Sequence, residues 1–125
     1  MDNDFKTLLC EAEKLINRVE LNKYVTIGGV ACALMTEKRN IYTGIYIEAK
    51  CGIGFCAEHS AIADMVKHGE TRIIKIVSAK RGKIYPPCGR CRELIRMINL
   101  ANIETQVLLK NNEVVTINDL LPHQW

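Results

Sequence analysis

Two short cysteine-containing segments constrain this chain more than any other feature of its sequence. The first is Cys56-Ala57-Glu58, and the second, later in the chain, is Pro87-Cys88-Gly89-Arg90-Cys91. Together they supply three thiolates, which are soft ligands suited to Zn²⁺, and one carboxylate beside them. Three protein ligands leave the fourth tetrahedral position of zinc open for water, which is typical of a catalytic site. The fold is therefore expected to bring both segments to one point.

Both segments are expected to begin helices. A helix N-terminus favours a thiolate through its free N–H groups and the positive end of the helix dipole. Cys88 and Cys91 are three residues apart, so one helical turn brings both sulfurs to one metal. Glu58 lies two residues from Cys56 and is expected to project beside the metal. Zinc lowers the pKa of bound water from about 15.7 toward about 7, and Glu58 could then carry protons between that water and a substrate. The pattern predicts hydrolytic chemistry.

The spacing of apolar residues predicts an α/β fold. Residues 80–85 are expected to form a polar connection, and the short turn at Asn111-Asn112 requires the strands around it to run antiparallel. The architecture predicted from this order is a three-layer αβα fold, a five-stranded mixed sheet with helices on both faces, in a single domain spanning 1–125. The predicted helices are 4–20, 56–69, 88–98 and a last turn at 117–121, and the predicted strands are 24–36, 41–47, 72–79, 105–109 and 113–116.

The composition restricts the partners and the location of the protein. Hydrophobic residues make up 48% of the chain and charged residues 25%, an ordinary soluble composition. No apolar run reaches the roughly 18 residues of a membrane helix, and the acidic start Met1-Asp2-Asn3-Asp4 is unlike a secretory signal. We therefore expect a cytoplasmic protein with no membrane contact. The net charge of +3 is mild and its basic residues are scattered, which argues against a nucleic-acid partner.

The other three cysteines are not expected to form a disulfide framework. Free cysteine is among the most buried residue types, so Cys10 and Cys32 are predicted to pack in the core. Cys51 stands near Cys56 and is an alternative metal ligand. A structural four-cysteine site would need Cys51 or Cys10 as its fourth ligand, yet neither forms a second C-x-x-C. A redox C-x-x-C would leave Cys56-Ala57-Glu58 without a role.

The chain resembles the zinc-dependent cytidine deaminase family. That family carries H/C-x-E together with P-C-x-x-C, and residues 56–58 and 87–91 match its all-cysteine branch, which includes blasticidin-S deaminase. The likeness extends to the Tyr24 segment, to Thr43-Gly44 and to Leu120-Leu121-Pro122. The resemblance implies that zinc is held by Cys56, Cys88 and Cys91. It also implies that Glu58 is the general acid and base for hydrolytic removal of the cytosine amino group.

The resemblance implies further roles around the site. The backbone N–H of Ala57 would contact the pyrimidine carbonyl. Three thiolates leave a formal negative charge on the zinc site, and Arg90 is expected to offset it, with His59 assisting if protonated. The family pattern also implies a homotetramer, or a homodimer, with sites near subunit interfaces. Trp125 either helps to cover the site or packs on its own subunit.

The segment that reads the substrate departs from the family pattern. In family members an Asn-x-Glu segment binds a ribose hydroxyl, and this chain has Tyr46-Ile47-Glu48 in that region. Glu48 can still accept a hydrogen bond from a hydroxyl. Tyr46 is larger than asparagine. A phenylalanine of the pyrimidine pocket is absent, with Ile27 or Gly28 nearby. A change in the residues that bind the sugar changes the set of substrates.

The expected substrate is a small-molecule nucleoside, cytidine or deoxycytidine. The alternatives are a modified or antibiotic cytosine nucleoside of the blasticidin-S type and another aminated heterocycle. Phosphorylated nucleotides are disfavoured because the sequence has no glycine-rich or arginine-rich phosphate cradle. A non-enzymatic zinc-binding module is a remote alternative, because such a module would be expected to lose Glu58 or to fill the open metal position.

Overall fold

A computed structural model describes residues 1–125 as a seven-stranded sheet between two helical layers. Short 3-10 segments cover Lys50–Gly52, Leu100–Glu104 and Lys110–Asn112. None of the helices combines the length and the hydrophobicity needed to cross a bilayer. The helices and strands are α1 (Asn3–Glu13), β1 (Val19–Asn22), β2 (Val25–Thr36), β3 (Ile41–Ala49), α2 (Ala57–Lys67), β4 (Ile73–Lys80), β5 (Lys83–Tyr85), α3 (Gly89–Ile98), β6 (Gln106–Leu108), β7 (Val114–Thr116) and α4 (Ile117–Leu120).

Strands β2 and β4 organise the sheet. β2 pairs antiparallel with β3 along one edge, while β1 and β4 share its other edge. β4 in turn pairs antiparallel with β5 through its last residues and parallel with β6 through its middle. β6 and β7 run antiparallel, as predicted, across a turn in which Asn111 and Asn112 both have positive φ. The mixed sheet of the α/β prediction is therefore confirmed.

The prediction of five strands is wrong, because two short strands were not recognised. The predicted helix 4–20 ends at Glu13, and β1 occupies residues that the helical spacing had included. There the chain is held by pairing with β2, and the Asn17 N–H donates to the Gly28 carbonyl at 2.9 Å. β5 lies within the predicted polar connection and pairs with the end of β4. The other predicted elements are present within two residues of their expected bounds.

Side chains of β2 alternate between two hydrophobic layers, which confirms helices on both faces of the sheet. Ala31 and Ala33 pack with α1, whereas Cys32 and Leu34 pack with α2 and α3. Cys32 is buried as predicted, but the prediction for Cys10 is wrong because that residue is exposed. The buried face of α1 is formed by Phe5, Leu8 and Ala12, and Cys10 lies outside that face.

Two close contacts hold the helices of the second layer in place. Gly44 of β3 lies so near α2 that an added Cβ would stand 2.4 Å from the Ala61 nitrogen and 2.5 Å from the Ala57 carbonyl oxygen. Asn102 is fully buried and its side chain accepts from the Ile73 N–H and donates to the Ile95 carbonyl, both at 2.9 Å. The first contact determines how closely α2 packs against β3, and the second connects α3 to the start of β4 through hydrogen bonds.

Replacing Gly44 with alanine is expected to destabilise the protein, because the backbone of α2 must move to admit a methyl group. Overpacking of this kind typically costs about 1–3 kcal/mol. Chemical denaturation followed by circular dichroism measures the loss. Gly29→Ala is the matched control on the neighbouring strand, since nothing lies within 4 Å of its added Cβ. Equal denaturation midpoints for the two variants would contradict the assigned contact.

Candidate metal centre and active site

The sulfurs of three predicted ligands meet where two helices begin. Cys56 is the N-cap of α2 and Cys88 is the N-cap of α3, as the sequence predicted. The Sγ of Cys88 lies 3.5 Å from that of Cys56 and 3.4 Å from that of Cys91, and all three lie within 4.8 Å of one another. Two sulfurs bound to one tetrahedral zinc at about 2.3 Å are about 3.8 Å apart. The three sulfurs therefore fit one zinc ion.

The protein environment by itself opposes the ionisation of two of these thiols. Burial raises the pKa of Cys91 and of Cys56, and the negative charge of Glu58 raises both further. Burial also opposes the ionisation of Cys88, but hydrogen bonds from the Cys91 backbone and from neighbouring groups lower its pKa overall. Three thiolates beside a carboxylate need a cation to share the site. This donor set is chemically suited to a soft divalent metal.

Glu58 lies in the first turn of α2 and is only 5% exposed. It lines the same cavity as Cys56 and Cys88, so its carboxylate stands beside the sulfurs and is not a fourth member of their cluster. The arrangement matches the predicted position of a proton carrier next to a metal. Ala57, the first residue of α2, is fully buried and also lines the cavity.

The cavity has a volume of about 390 Å³, which suits a small organic ligand. Tyr46 of β3 lines it, whereas Glu48 is exposed and does not. Neither Ile27 nor Gly28 contributes to the wall, and Val30 does instead. The lining residues are Val30, Tyr46, Cys56, Ala57, Glu58, Ser78, Lys80, Tyr85, Pro86 and Cys88.

Five of the lining residues escaped the sequence analysis, namely Val30, Ser78, Lys80, Tyr85 and Pro86. The alternation of side chains along β4 places Ser78 and Lys80 on one face and is a signal that could have found them. Tyr85 belongs to β5, which the sequence analysis treated as part of a connection. Its place in the cavity depends on strand pairing, so no local pattern could indicate it.

The two cationic residues expected near the sulfurs differ in position. The Nδ1 atom of His59 lies 3.4 Å from the Cys91 sulfur. Burial, followed by the nearby Arg90 guanidinium, lowers the pKa of His59 and so favours its neutral form. The Arg90 side chain is exposed and its guanidinium forms no hydrogen bond with a sulfur, although the Arg90 backbone N–H donates to the Cys88 sulfur. Of these two side chains, that of His59 is therefore the one in direct contact with a ligand sulfur.

Three further residues lie away from the cluster. Cys51 and Cys10 are exposed and free, and neither belongs to the group of sulfurs. Trp125 is 88% exposed, so it does not pack on its own subunit. It does not line the cavity either. The metal cluster is thus limited to three protein ligands.

Comparison with known proteins places the chain in one family. Residues 5–107 match the family model described as the cytidine and deoxycytidylate deaminase zinc-binding region. A cytidine deaminase from Halalkalibacterium halodurans is 32% identical over 99 residues, which cover 74% of each chain. A blasticidin-S deaminase from Bacillus cereus is 30% identical over 102 residues, covering 74% of this chain and 70% of the relative.

Solved structures agree with this assignment. The cytidine deaminase from Mycobacterium leprae superposes with a TM-score of 0.81 at 25% identity and covers 98% of this chain and 100% of its own. The cytidine deaminase from Mycobacterium tuberculosis, at 21% identity, has a TM-score of 0.81 over 99% of this chain and 98% of its own, and supports the fold alone. The cofactor is zinc, and the chain belongs to the zinc-dependent cytidine and deoxycytidylate deaminase family.

Proposed function

We propose that this protein catalyses the zinc-dependent hydrolytic deamination of a free cytosine nucleoside. Cytidine or deoxycytidine and water would give uridine or deoxyuridine and ammonia, with residues 1–125 acting as one catalytic domain. The observation that carries the proposal is a cluster of three sulfurs within 4.8 Å of one another, two of which belong to residues that line one cavity with the buried Glu58. A structural zinc site has no need of that carboxylate or of an open cavity beside the ligands.

Cys56, Cys88 and Cys91 would hold the zinc. When bound there, zinc lowers the pKa of water and makes it a nucleophile near neutral pH. Glu58 accepts the proton released by the water that attacks C4 of the ring. The same carboxylate donates this proton to ring N3, then takes the proton of the new C4 hydroxyl and passes it to the amino nitrogen, which leaves as ammonia while the C4 carbonyl forms. Because Glu58 is buried, bulk water competes little for these protons.

The cavity wall supplies groups that would position the substrate. The N–H of Ala57 has no intrahelical partner because Ala57 is the first residue of α2, and it would donate to the pyrimidine carbonyl. Tyr46 lines the cavity, and burial, followed by the nearby carboxylate of Glu48, raises the pKa of its hydroxyl. The protonated hydroxyl of Tyr46 would bind a sugar hydroxyl, with Glu48 acting at the exposed rim.

We further propose a homotetramer or homodimer located in the cytoplasm, acting on a small molecule and on neither nucleic acid nor membranes. Exposed apolar side chains support the assembly. Leu21 and Tyr24 project at the β1–β2 turn, and Ile53 projects from the segment before α2 that carries Cys56. An interface that includes Ile53 would lie close, along the chain, to Cys56.

A second candidate function is deamination of a modified or antibiotic cytosine nucleoside. The observation that favours it is Tyr46, which lines the cavity where the family pattern has asparagine. The 30% identity to a blasticidin-S deaminase supports the same alternative. Deamination of another aminated heterocycle would also require sugar-binding residues that differ from the family pattern. A non-enzymatic zinc module is opposed by the buried Glu58 in an open cavity.

Removal of any one of the three proposed ligands is expected to strip the protein of zinc. Cys56→Ser, Cys88→Ser and Cys91→Ser each leave two sulfurs, which hold Zn²⁺ far less tightly than three. Mass spectrometry of the dialysed proteins should find about one zinc per wild-type chain and a strong loss in each variant. The matched control is Cys10→Ser, because Cys10 is exposed and outside the cluster. A Cys91→Ser protein with full zinc would contradict the assignment.

Glu58→Gln is expected to lower turnover by at least about 100-fold while zinc is retained, because an amide cannot carry the protons. Ammonia release is measured over a panel of cytidine, deoxycytidine, deoxycytidylate, cytosine, blasticidin S and aminopurine nucleosides. The panel also separates the two candidate functions. Glu37→Gln is the control, since Glu37 is exposed in the turn between β2 and β3. Near-normal turnover by Glu58→Gln would show that Glu58 is not the proton carrier.

Arg90→Ala and His59→Ala are each expected to lower activity or zinc affinity by about 10- to 100-fold, the usual effect of losing a group that supports a metal ligand. His59 contacts the Cys91 sulfur directly, and the Arg90 charge acts from the exposed side. Activity and zinc content are measured for both variants, with Arg18→Ala as an exposed control. If Arg90→Ala keeps full activity and full zinc, Arg90 has no role at the site.

A further inference from the structure

Lys80 faces the same layer as the sulfur cluster. In the pairing of β2 with β4, Val30 lies opposite Lys80 and Cys32 lies opposite Ser78. Cys32 packs beneath α2, and residues two apart on a strand share a face. Ser78 and Lys80 therefore both project toward α2, and both line the cavity that contains Glu58.

Lys80 brings into this cavity a positive charge that forms no ion pair with a protein group. It is the only lysine, arginine or histidine among the lining residues. Its ammonium takes part in none of the ion pairs of the structure. Lys75 on the same strand behaves differently, since its Nζ lies 2.7 Å from Asp4 and 3.2 Å from Asp2. The charge of Lys80 is thus available to a ligand.

Burial shows which end of the ligand Lys80 would meet. Glu58 is 5% exposed and Ser78 is 4% exposed, so they form the floor of the cavity. Lys80 is exposed and Tyr85 is 38% exposed, so they form its mouth. A cytosine ring with its amino group directed toward Glu58 turns the substituent on N1 toward the mouth. The outer part of the sugar would then lie beside Lys80.

We propose that Lys80 determines specificity by binding an anionic substituent on the sugar of the substrate, a carboxylate or a phosphate monoester. Among the candidate substrates, a nucleoside that carries such a negative charge would then be deaminated more efficiently than a neutral analogue of the same size. This inference rests on the proposed deaminase function and selects among its substrates. An ammonium offers three donors around a compact charge, which suits either anion.

The test compares four compounds: cytidine, cytidine 5′-carboxylate, its neutral 5′-carboxamide and cytidine 5′-phosphate. The ratio of kcat/KM for each anion to that for the carboxamide defines the preference for charge. We expect this ratio to exceed one in the wild type and to fall about tenfold in Lys80→Met, the effect of losing one charge-assisted contact. Lys80→Arg should keep most of the preference. The anion whose kcat/KM falls more in Lys80→Met is the one that Lys80 recognises, either a carboxylate or a phosphate.

Lys83→Met is the matched control. Lys83 lies opposite Lys80 in the pairing of β4 with β5 but does not line the cavity. Its removal changes the net charge equally and should leave the preference unaltered. Raising the ionic strength should weaken the preference of the wild type more than that of Lys80→Met, because salt screens an exposed ion pair.

Two results would overturn the inference: a wild type that favours the carboxamide over both anions, and a Lys80→Met variant with the wild-type ratio. Failure of the deaminase function has a different signature, which is zinc-loaded wild type that releases no ammonia from any of the four compounds. In that event, calorimetric affinities for the same compounds still measure the contact. Equal affinities of wild type and Lys80→Met for the anions would then reject it.

Discussion

The approach of the first turns of α2 and α3 is the constraint on which the rest of the structure depends. Each helix brings a cysteine as its N-cap, and the sulfurs of Cys56 and Cys88 stand 3.5 Å apart. Burial raises the pKa of Cys56 and Cys91, so the thiolate form of the cluster is unfavourable for the protein alone. A bound divalent cation offsets this cost, because its positive charge stabilises the thiolates that burial opposes. Metal binding and helix placement are therefore coupled.

The sheet supports that approach from below. β2 carries small or apolar residues on both faces, so α1 packs on one side while α2 and α3 pack on the other. Gly44 lets α2 lie against β3 at a distance that no larger residue would permit. Asn102 satisfies backbone groups at the end of α3 and the start of β4 with one buried amide. Gly44 and Asn102 do not line the cavity, but they position the helices that carry the cysteines.

The cavity is chemically graded from floor to mouth. Its floor holds the buried Glu58 and the neutral Ser78, and its mouth holds the exposed Lys80 and Tyr85. Proton transfer benefits from a dry floor because electrostatic interactions are stronger where water is excluded. In the proposed function, discrimination among sugars depends on Tyr46, which stands where the family pattern has asparagine, and on Lys80 at the mouth. Reaction type and substrate choice are thus assigned to separate parts of one cavity.

The three clustered cysteines, the nearby Glu58 and the α/β class could be predicted from the sequence, since each depends on local signals. Thiolate chemistry, the spacing of Cys88 and Cys91 on one helical turn and the two hydrophobic periodicities are all properties of short segments. The strands β1 and β5 could not be predicted, because both exist through pairing with β2 and β4 and carry weak patterns of their own. Only the tertiary structure decided that Cys10 is exposed, that Glu48 lies outside the cavity and that Tyr85 lies within it. Such positions depend on cross-strand register and on helix rotation, which are set by contacts between residues far apart in the chain.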